Sequence, residues 1–158
     1  MAAASLVASA LGIVLILVTA YILVGGTVMT SETVVNAQKD MTALQVKMIG
    51  TTMDITAVSS SNPRYITIEN TGSESIRNFE QVDVFLTFLD SAPTIYRYNA
   101  DGGIGYWKKE IIVPDHIHPR QWDPGEVLNM SVEYPVEAGT LIEVRITTGN
   151  GASAVRAI

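Results

Sequence analysis

The sequence predicts an α+β protein: a long N-terminal hydrophobic α-helix followed by an antiparallel Ig-like β-sandwich. Two observations predict this architecture. The chain of 158 residues has no charged side chain before Glu32, which is typical of a helix that leaves water. From Thr52 onward, apolar residues recur at every second position between short turn sequences, as in a sheet with one buried face. The predicted domains are residues 1–51, the helix, and residues 52–158, the sandwich.

Composition excludes several classes of site. The chain contains no cysteine, so it forms neither a disulfide framework nor a thiolate metal site, and its stability must come from packing. The formal net charge of -6 argues against nucleic-acid binding, because that binding depends on Lys and Arg neutralising phosphates. Neither a glycine-rich phosphate loop with its lysine nor a G-x-S-x-G nucleophile motif occurs. We therefore expect no enzyme activity and no cofactor.

The first 31 residues are long enough to cross a membrane. A bilayer core needs about 20 apolar helical residues, and 31 residues would extend about 46 Å as a helix. A cleaved secretory signal fits less well, because no Lys or Arg precedes the apolar core and the run is too long. A membrane anchor fits the length, and it would leave the acidic remainder of the chain outside the membrane.

Self-assembly is the third interpretation of this segment, because Ala, Gly and Ser are frequent and small residues let apolar helices approach closely. Such a helix would lie in lipid first and among copies of itself later. The residues predicted to pack between helices are Ala8, Gly12, Leu15, Val18, Ile22, Gly25, Val34, Met41, Leu44 and Met48.

The helix is expected to continue beyond the apolar segment, since no proline occurs before Gly50. Apolar residues at spacings of three and four, Val34, Ala37, Met41, Leu44 and Met48, form one stripe. We therefore predict a single helix from near residue 2 to about residue 49, with a bend permitted at the Gly25-Gly26 pair. The stripe packs either against the sandwich or against neighbouring helices, and the sequence leaves both open.

Four strands are predicted from alternation. The apolar faces are Ile66 and Ile68; Val82, Val84, Leu86 and Phe88; Leu128, Met130 and Val132; and Ile142, Val144 and Ile146. In the run from residue 82 to residue 89 both faces are mostly apolar, which predicts a central strand. The intervening segments NTGS, NADGG, DPGE, EAGT and GNG are turn sequences.

Candidate sites in the sandwich are few. His116 and His118 share one side of an extended segment and have Asp115 or Asp123 near them. These residues could bind a metal together, but the sequence has no third spaced His or Cys, so an exposed loop without a metal is the expected state. The sequon at Asn129 predicts a solvent-facing side chain that is glycosylated if the domain is extracellular.

The aromatic residues Tyr96, Tyr98, Tyr106 and Trp107 flank the DGGIG turn. They form either an exposed rim for a partner or an ordinary hairpin that covers one end of the sandwich, and the sequence slightly favours the hairpin.

Three segments in this order carry a resemblance: ITIENTGSESI at residues 66–76, WDPGEVLNMSV at 122–132 and VRITTGNGASA at 144–154. Together with the N-terminal helix, they resemble archaeal type IV pilin-like proteins, and within that group the archaellum components archaellin and archaellar protein F. The resemblance implies two roles. Archaellins polymerise through their N-terminal helices into a motility filament, whereas protein F is a static envelope anchor that contacts the surface layer.

Two departures from the archaellin pattern bear on the choice between these roles. Ser5 stands where such subunits usually carry Glu, and no basic signal peptide precedes Met1. Our prediction is a structural subunit of an extracellular filament, a homo-oligomer that is membrane-inserted before assembly. The alternative is a protein F-like membrane-anchored stator whose sandwich binds the surface layer. Neither role involves nucleic acid.

Overall fold

The computed structural model describes the backbone of residues 2–158 and the side chains of residues 6–158; the predicted departure at Ser5 concerns a side chain outside the described residues. The chain forms one helix and eight strands. Their bounds are α1 Ala2–Gly50, β1 Met53–Val58, β2 Arg64–Asn70, β3 Asp83–Phe88, β4 Thr94–Tyr98, β5 Tyr106–Val113, β6 Val127–Val132, β7 Leu141–Thr147 and β8 Ser153–Ala157. Two short 3-10 turns, Phe79–Gln81 and Val136–Ala138, complete the elements. The predicted α+β class is confirmed.

The helix α1 is continuous and passes through Gly25 and Gly26 without interruption. Its described side chains are exposed from Leu6 to Ile49. The chain divides into two compact units, the first ending at Ala43 and the second comprising Leu44–Ile158. The last two turns of α1 therefore belong to the same compact unit as the strands.

The strands form one sheet in the order β1-β2-β6-β5-β4-β3-β7-β8. All neighbours are antiparallel except β4 and β5, which pair in parallel over two residue pairs only, Arg97 with Tyr106 and Tyr98 with Trp107. The two edge strands, β1 and β8, approach each other: the Arg156 guanidinium on β8 donates through Nη1 to the carbonyl oxygens of Ile55 and Thr56 on β1. Folding the sheet onto itself in this way gives a nearly closed sandwich.

Alternating residues from both layers of the sandwich form its core. Trp107 and Trp122 are completely buried, and each indole N–H has an acceptor: Trp107 donates to the Val82 carbonyl and Trp122 to the Glu126 carbonyl, both at 2.8 Å. A buried indole without an acceptor would destabilise the core, so these carbonyls allow both rings to remain buried. The other fully buried side chains include Ile66, Ile68, Val84, Leu86, Leu128, Met130, Val144 and Ile146.

The predicted strand faces are confirmed with one exception. The strand β3 lies between β4 and β7, and its Val84 and Leu86 are buried, as expected for a central strand. In β7, however, Ile142 is 38% exposed and Leu141 occupies the core. The register of β7 on β3 shifts at this point, so that Thr87 faces Glu143 while Phe88 faces Leu141. A bulge adds one residue and reverses the alternation before it, which simple period-two reasoning cannot detect.

A truncation in the core tests this packing. We expect Leu128→Ala to lower the free energy of unfolding by about 2–5 kcal/mol, because the Leu128 side chain is completely buried and its removal leaves a cavity. Leu89→Ala is the matched control, since Leu89 is 57% exposed, and it should change stability by less than about 0.5 kcal/mol. Denaturant unfolding of the full chain in detergent, followed by tryptophan fluorescence, measures both. Equal losses in the two variants would contradict the assigned core.

Candidate functional site: an apolar helix and its clamp on the sandwich

The first part of the candidate site is the surface of α1 before Glu32. Several of its hydroxyl groups find acceptors within the helix: those of Ser9, Thr19 and Thr27 donate to the carbonyls of Leu6, Leu15 and Val24, each at 2.9 Å. A segment in lipid must satisfy its polar groups internally, because the bilayer core offers no water. The helix is long and apolar enough to cross a membrane, and its surface chemistry fits membrane association.

The predicted helix-packing residues are all exposed along α1. A Cβ atom built on Gly12 or Gly25 meets nothing within 4 Å. Leu15, Val18, Ile22, Val34, Met41, Leu44 and Met48 all remain exposed, as does Ala8. Their role between helices therefore stays a prediction about an assembly rather than a property of one chain.

The second part of the site is the C-terminal end of α1. The last four carbonyls of any helix lack partners within it, and here three of them, at Lys47, Met48 and Gly50, accept hydrogen bonds. The Gly50 carbonyl receives the backbone N–H of Ser73 at 2.7 Å and of Glu74 at 3.2 Å. The Met48 carbonyl receives the N–H of Thr51 at 3.2 Å. The sandwich thus caps the helix through the turn after β2.

Asn150, from the turn between β7 and β8, completes this clamp. Its side-chain amide donates to the Lys47 carbonyl at 3.2 Å and to the Thr51 hydroxyl at 2.7 Å. The Thr51 hydroxyl in turn donates to the Lys47 carbonyl at 2.8 Å, and the Thr51 side chain is buried. The turn after β2 and the turn between β7 and β8 are distant in sequence, yet both form hydrogen bonds with the same helix end. We call Lys47, Gly50, Thr51, Gly72, Ser73, Glu74 and Asn150 the clamp.

The NTGS turn fits the helix end so closely that Gly72 cannot carry a side chain. A Cβ atom on Gly72 would lie 2.3 Å from the Gly50 carbonyl oxygen and 2.6 Å from the Thr52 nitrogen. The turn is fixed from inside the domain by Asn70, which is fully buried and whose amide donates to the carbonyls of Glu74 and Trp122. The clamp is consequently continuous with the core.

The sequence missed the clamp as a site. The residue pattern of its two turns predicts strand boundaries. Glycine beside Asn or Ser is, however, also typical of a turn that closely approaches another backbone. The long separation between Gly50 and Asn150 hides their proximity, which only the folded sheet creates.

The histidine segment forms a hydrogen-bonded loop. The backbone N–H of His118 donates to the Asp123 carboxylate at 3.0 Å, and its Nδ1 lies 3.1 Å from the same oxygen. Asp115 instead accepts the backbone N–H of Arg120. Within residues 6–158, no three His, Asp or Glu side chains are arranged to hold a metal ion.

The environment of Asp123 lowers the pKa of its carboxyl group from the usual value. The neighbouring Ser75 side chain is the largest cause; burial opposes it, and the hydrogen bonds and charge of His118 lower the pKa further. The ionised Asp123 carboxylate therefore stabilises the loop that precedes β6.

The remaining candidate residues lie on the sandwich. Asn129 is half-buried on the outer face of β6, where its carbonyl oxygen accepts the Thr67 hydroxyl at 2.8 Å; its glycosylation stays a prediction. Trp107 and Tyr96 are buried, and the rings of Trp107 and Tyr98 lie 4.9 Å apart. These aromatics are therefore part of the core, and of the four only Tyr106 is exposed.

Comparison with known proteins gives a structural likeness only. No family model and no curated protein sequence matches the chain. Among solved structures, the archaellum periplasmic stator protein FlaG from Sulfolobus acidocaldarius is similar with a TM-score of 0.50 and 16% identity, over 68% of this chain and 99% of that one. The stator complex of FlaF and FlaG from the same organism gives 0.49 and 15%, over 67% and 87%. The likeness to FlaG shows a shared fold.

Gly72 provides a direct test of the clamp. We expect Gly72→Ala to destabilise the sandwich by about 1–3 kcal/mol, because the added methyl group meets two backbone atoms that cannot move independently. Gly26→Ala is the control: nothing lies within 4 Å of its Cβ position, and Ala favours the helix. Denaturant unfolding of the full chain in detergent compares the two. A Gly72→Ala variant as stable as the unchanged protein would contradict the clamp geometry.

Asp123 predicts a pH dependence of stability. Because its folded-state pKa is lowered, its contribution is present above the unfolded value near 3.9 and is lost as the pH falls through the folded value. We expect Asp123→Asn to be less stable than the unchanged protein at pH 7, and this gap to narrow below about pH 4. Unfolding measured from pH 7 to pH 3 tests it, with the exposed Asp54→Asn as control. A gap that stays constant over this range would contradict the assignment.

Proposed function

We propose that this protein is a membrane-anchored, stator-like component of an archaellum-type motility machine. In this proposal α1 anchors the chain in the membrane and the sandwich lies outside it, where it binds the surface layer. The single observation that carries the proposal is the clamp, because it joins the anchoring helix to the sandwich core by direct hydrogen bonds rather than by a flexible linker.

A static anchor must pass force from the structure it holds to the membrane. A Gly- and Ser-rich linker would act as a flexible coil and stretch first. Here the helix runs to Gly50, and strand β1 begins at Met53, only three residues later. A load on the sandwich would therefore reach α1 through Gly50, Thr51 and the two turns that hold them, while the apolar side chains of α1 keep it in lipid.

The likeness of the sandwich to FlaG supports the stator role, since that structure is described as a periplasmic stator of the archaellum and nearly all of it is covered. The likeness alone concerns the fold, because unrelated functions share folds. We extend the stator role to this chain because that role also agrees with two other properties of the chain, the apolar helix and the clamp.

A filament subunit is the second candidate. It is favoured by the exposure of α1 from Leu6 to Ile49, including the positions of Ala8, Gly12 and Gly25, where small residues would permit close packing with other copies. This role predicts a different cellular fraction, so the two candidates can be separated directly.

The test is the distribution of the protein between sheared surface filaments and membranes. Cells that produce the chain are sheared, the filaments are purified, and both fractions are probed for it. We expect the chain to stay with the membrane and to resist alkaline carbonate extraction, and we expect the full chain in detergent to bind isolated surface-layer sheets. Its recovery as the main mass of the filaments would establish the filament subunit instead.

A matched pair of variants checks that α1 is the anchor. Leu15→Lys places a charge within the apolar segment, which costs about 2.5–3.5 kcal/mol near the centre of a bilayer. Gln38→Lys places the same charge beyond Glu32. The first substitution should raise the carbonate-extractable fraction, and the second should leave it unchanged.

A further inference from the structure

The part of α1 beyond the apolar segment carries an apolar stripe that is exposed in the single chain. Its large members, Val34, Met41, Leu44 and Met48, are 46–66% exposed. This inference rests on the proposed membrane anchoring, under which the residues after Glu32 lie in water. Apolar side chains exposed to water in this way favour association, because burial contributes about 25 cal/mol per Å² of apolar area.

The spacing of the stripe is that of a coiled coil. Val34, Ala37, Met41, Leu44 and Met48 alternate by three and four residues, so they occupy the a, d, a, d and a positions of consecutive heptads. This seam extends about 21 Å along the helix. The a positions hold Val34, Met41 and Met48 and the d positions hold Ala37 and Leu44, so the seam is apolar along its whole length. We propose that a second copy of this chain packs along the seam and forms a parallel two-stranded coiled coil over residues 34–48.

The membrane would set the direction and register of such a pair. Both copies enter lipid from the same side, and the first charged residue, Glu32, marks the same depth in each. Each seam residue then meets its own counterpart across a two-fold axis, which makes the seam self-complementary. Confinement in one membrane also raises the effective concentration of the second copy, which compensates for the short length of the seam.

The residues beside the seam permit this pairing. In a parallel pair, the g position of one heptad faces the e position of the next heptad in the partner. Asp40 at g then faces Gln45 at e, and Thr33 at g faces Gln38 at e. Neither pair brings like charges together, so no electrostatic repulsion opposes the contact. Lys39 occupies the f position on the far side, which is exposed to water in the pair.

The clamp leaves most of the seam free. It binds α1 through carbonyls at Lys47, Met48 and Gly50 and through the loops around Gly72 and Asn150. The sulfur of Met48, the last residue of the seam, lies 3.8 Å from the Cβ position of Gly151. The pair would therefore brace two anchors just above the membrane without disturbing the helix ends.

Cysteine cross-linking tests the pair directly, since the chain has no cysteine of its own. Single-cysteine full-length variants are oxidised with copper phenanthroline in the membranes of the cells that produce them and separated on a non-reducing gel. Ala37→Cys and Leu44→Cys lie on the seam. Ala43→Cys at position c is the matched control for Ala37→Cys, and Val46→Cys at position f is an apolar, exposed control for Leu44→Cys.

We expect the seam variants to form dimers, with a dimer fraction at least about tenfold higher than that of the two controls. Adding Leu44→Glu to the Ala37→Cys variant should abolish its dimer, whereas adding Val46→Glu should not. Cross-linking at all four positions would overturn the pair, because only a bundle or filament surrounds the helix on every side. Cross-linking at none of them would also overturn it. Carbonate extraction of the same membranes reports separately whether the chain is anchored.

Discussion

The structure depends on the capping of one helix end by the sandwich. The last carbonyls of a helix are strong acceptors that must find partners. In this chain they receive the backbone N–H groups of Ser73 and Glu74 and the amide of Asn150. Because these donors come from turns anchored by β2, β7 and β8, the helix end is capped only when the sheet is complete. The end of α1 and the sandwich core are therefore expected to form and to fail together.

This interdependence explains the polar residues that the core retains. Asn70 is completely buried, yet it orders the turn that carries Gly72 and Ser73 through bonds to the Glu74 and Trp122 carbonyls. A buried amide is stabilising only when its groups are paired, and here the pairing connects the turn to the loop before β6, which carries Trp122. The polar network thus specifies where the helix is attached, while apolar burial supplies most of the stability.

The same arrangement links fold to proposed role. Before Glu32 the helix presents groups suited to lipid, and after it a seam suited to a second helix. At Gly50 it enters the sandwich. In the proposed role, each of these three segments would face a different environment, and the clamp would connect the anchor to the sandwich. A stator needs such a connection, because a flexible joint would absorb the torque that it must resist.

The sequence by itself determined the helix, its end near Gly50 and the alternating faces of most strands, because these follow from local periodicity and from the residues at turns. It misplaced Ile142, since the β7 bulge depends on the register with Thr87 and Phe88 and leaves no local signal. It also did not decide whether the aromatic residues form an exposed rim or cover one end of the sandwich. The burial of Trp107 assigns them to the core. Only the tertiary structure decided the clamp. Gly50, Gly72 and Asn150 are far apart in the chain, and their contact arises when eight strands close around one core.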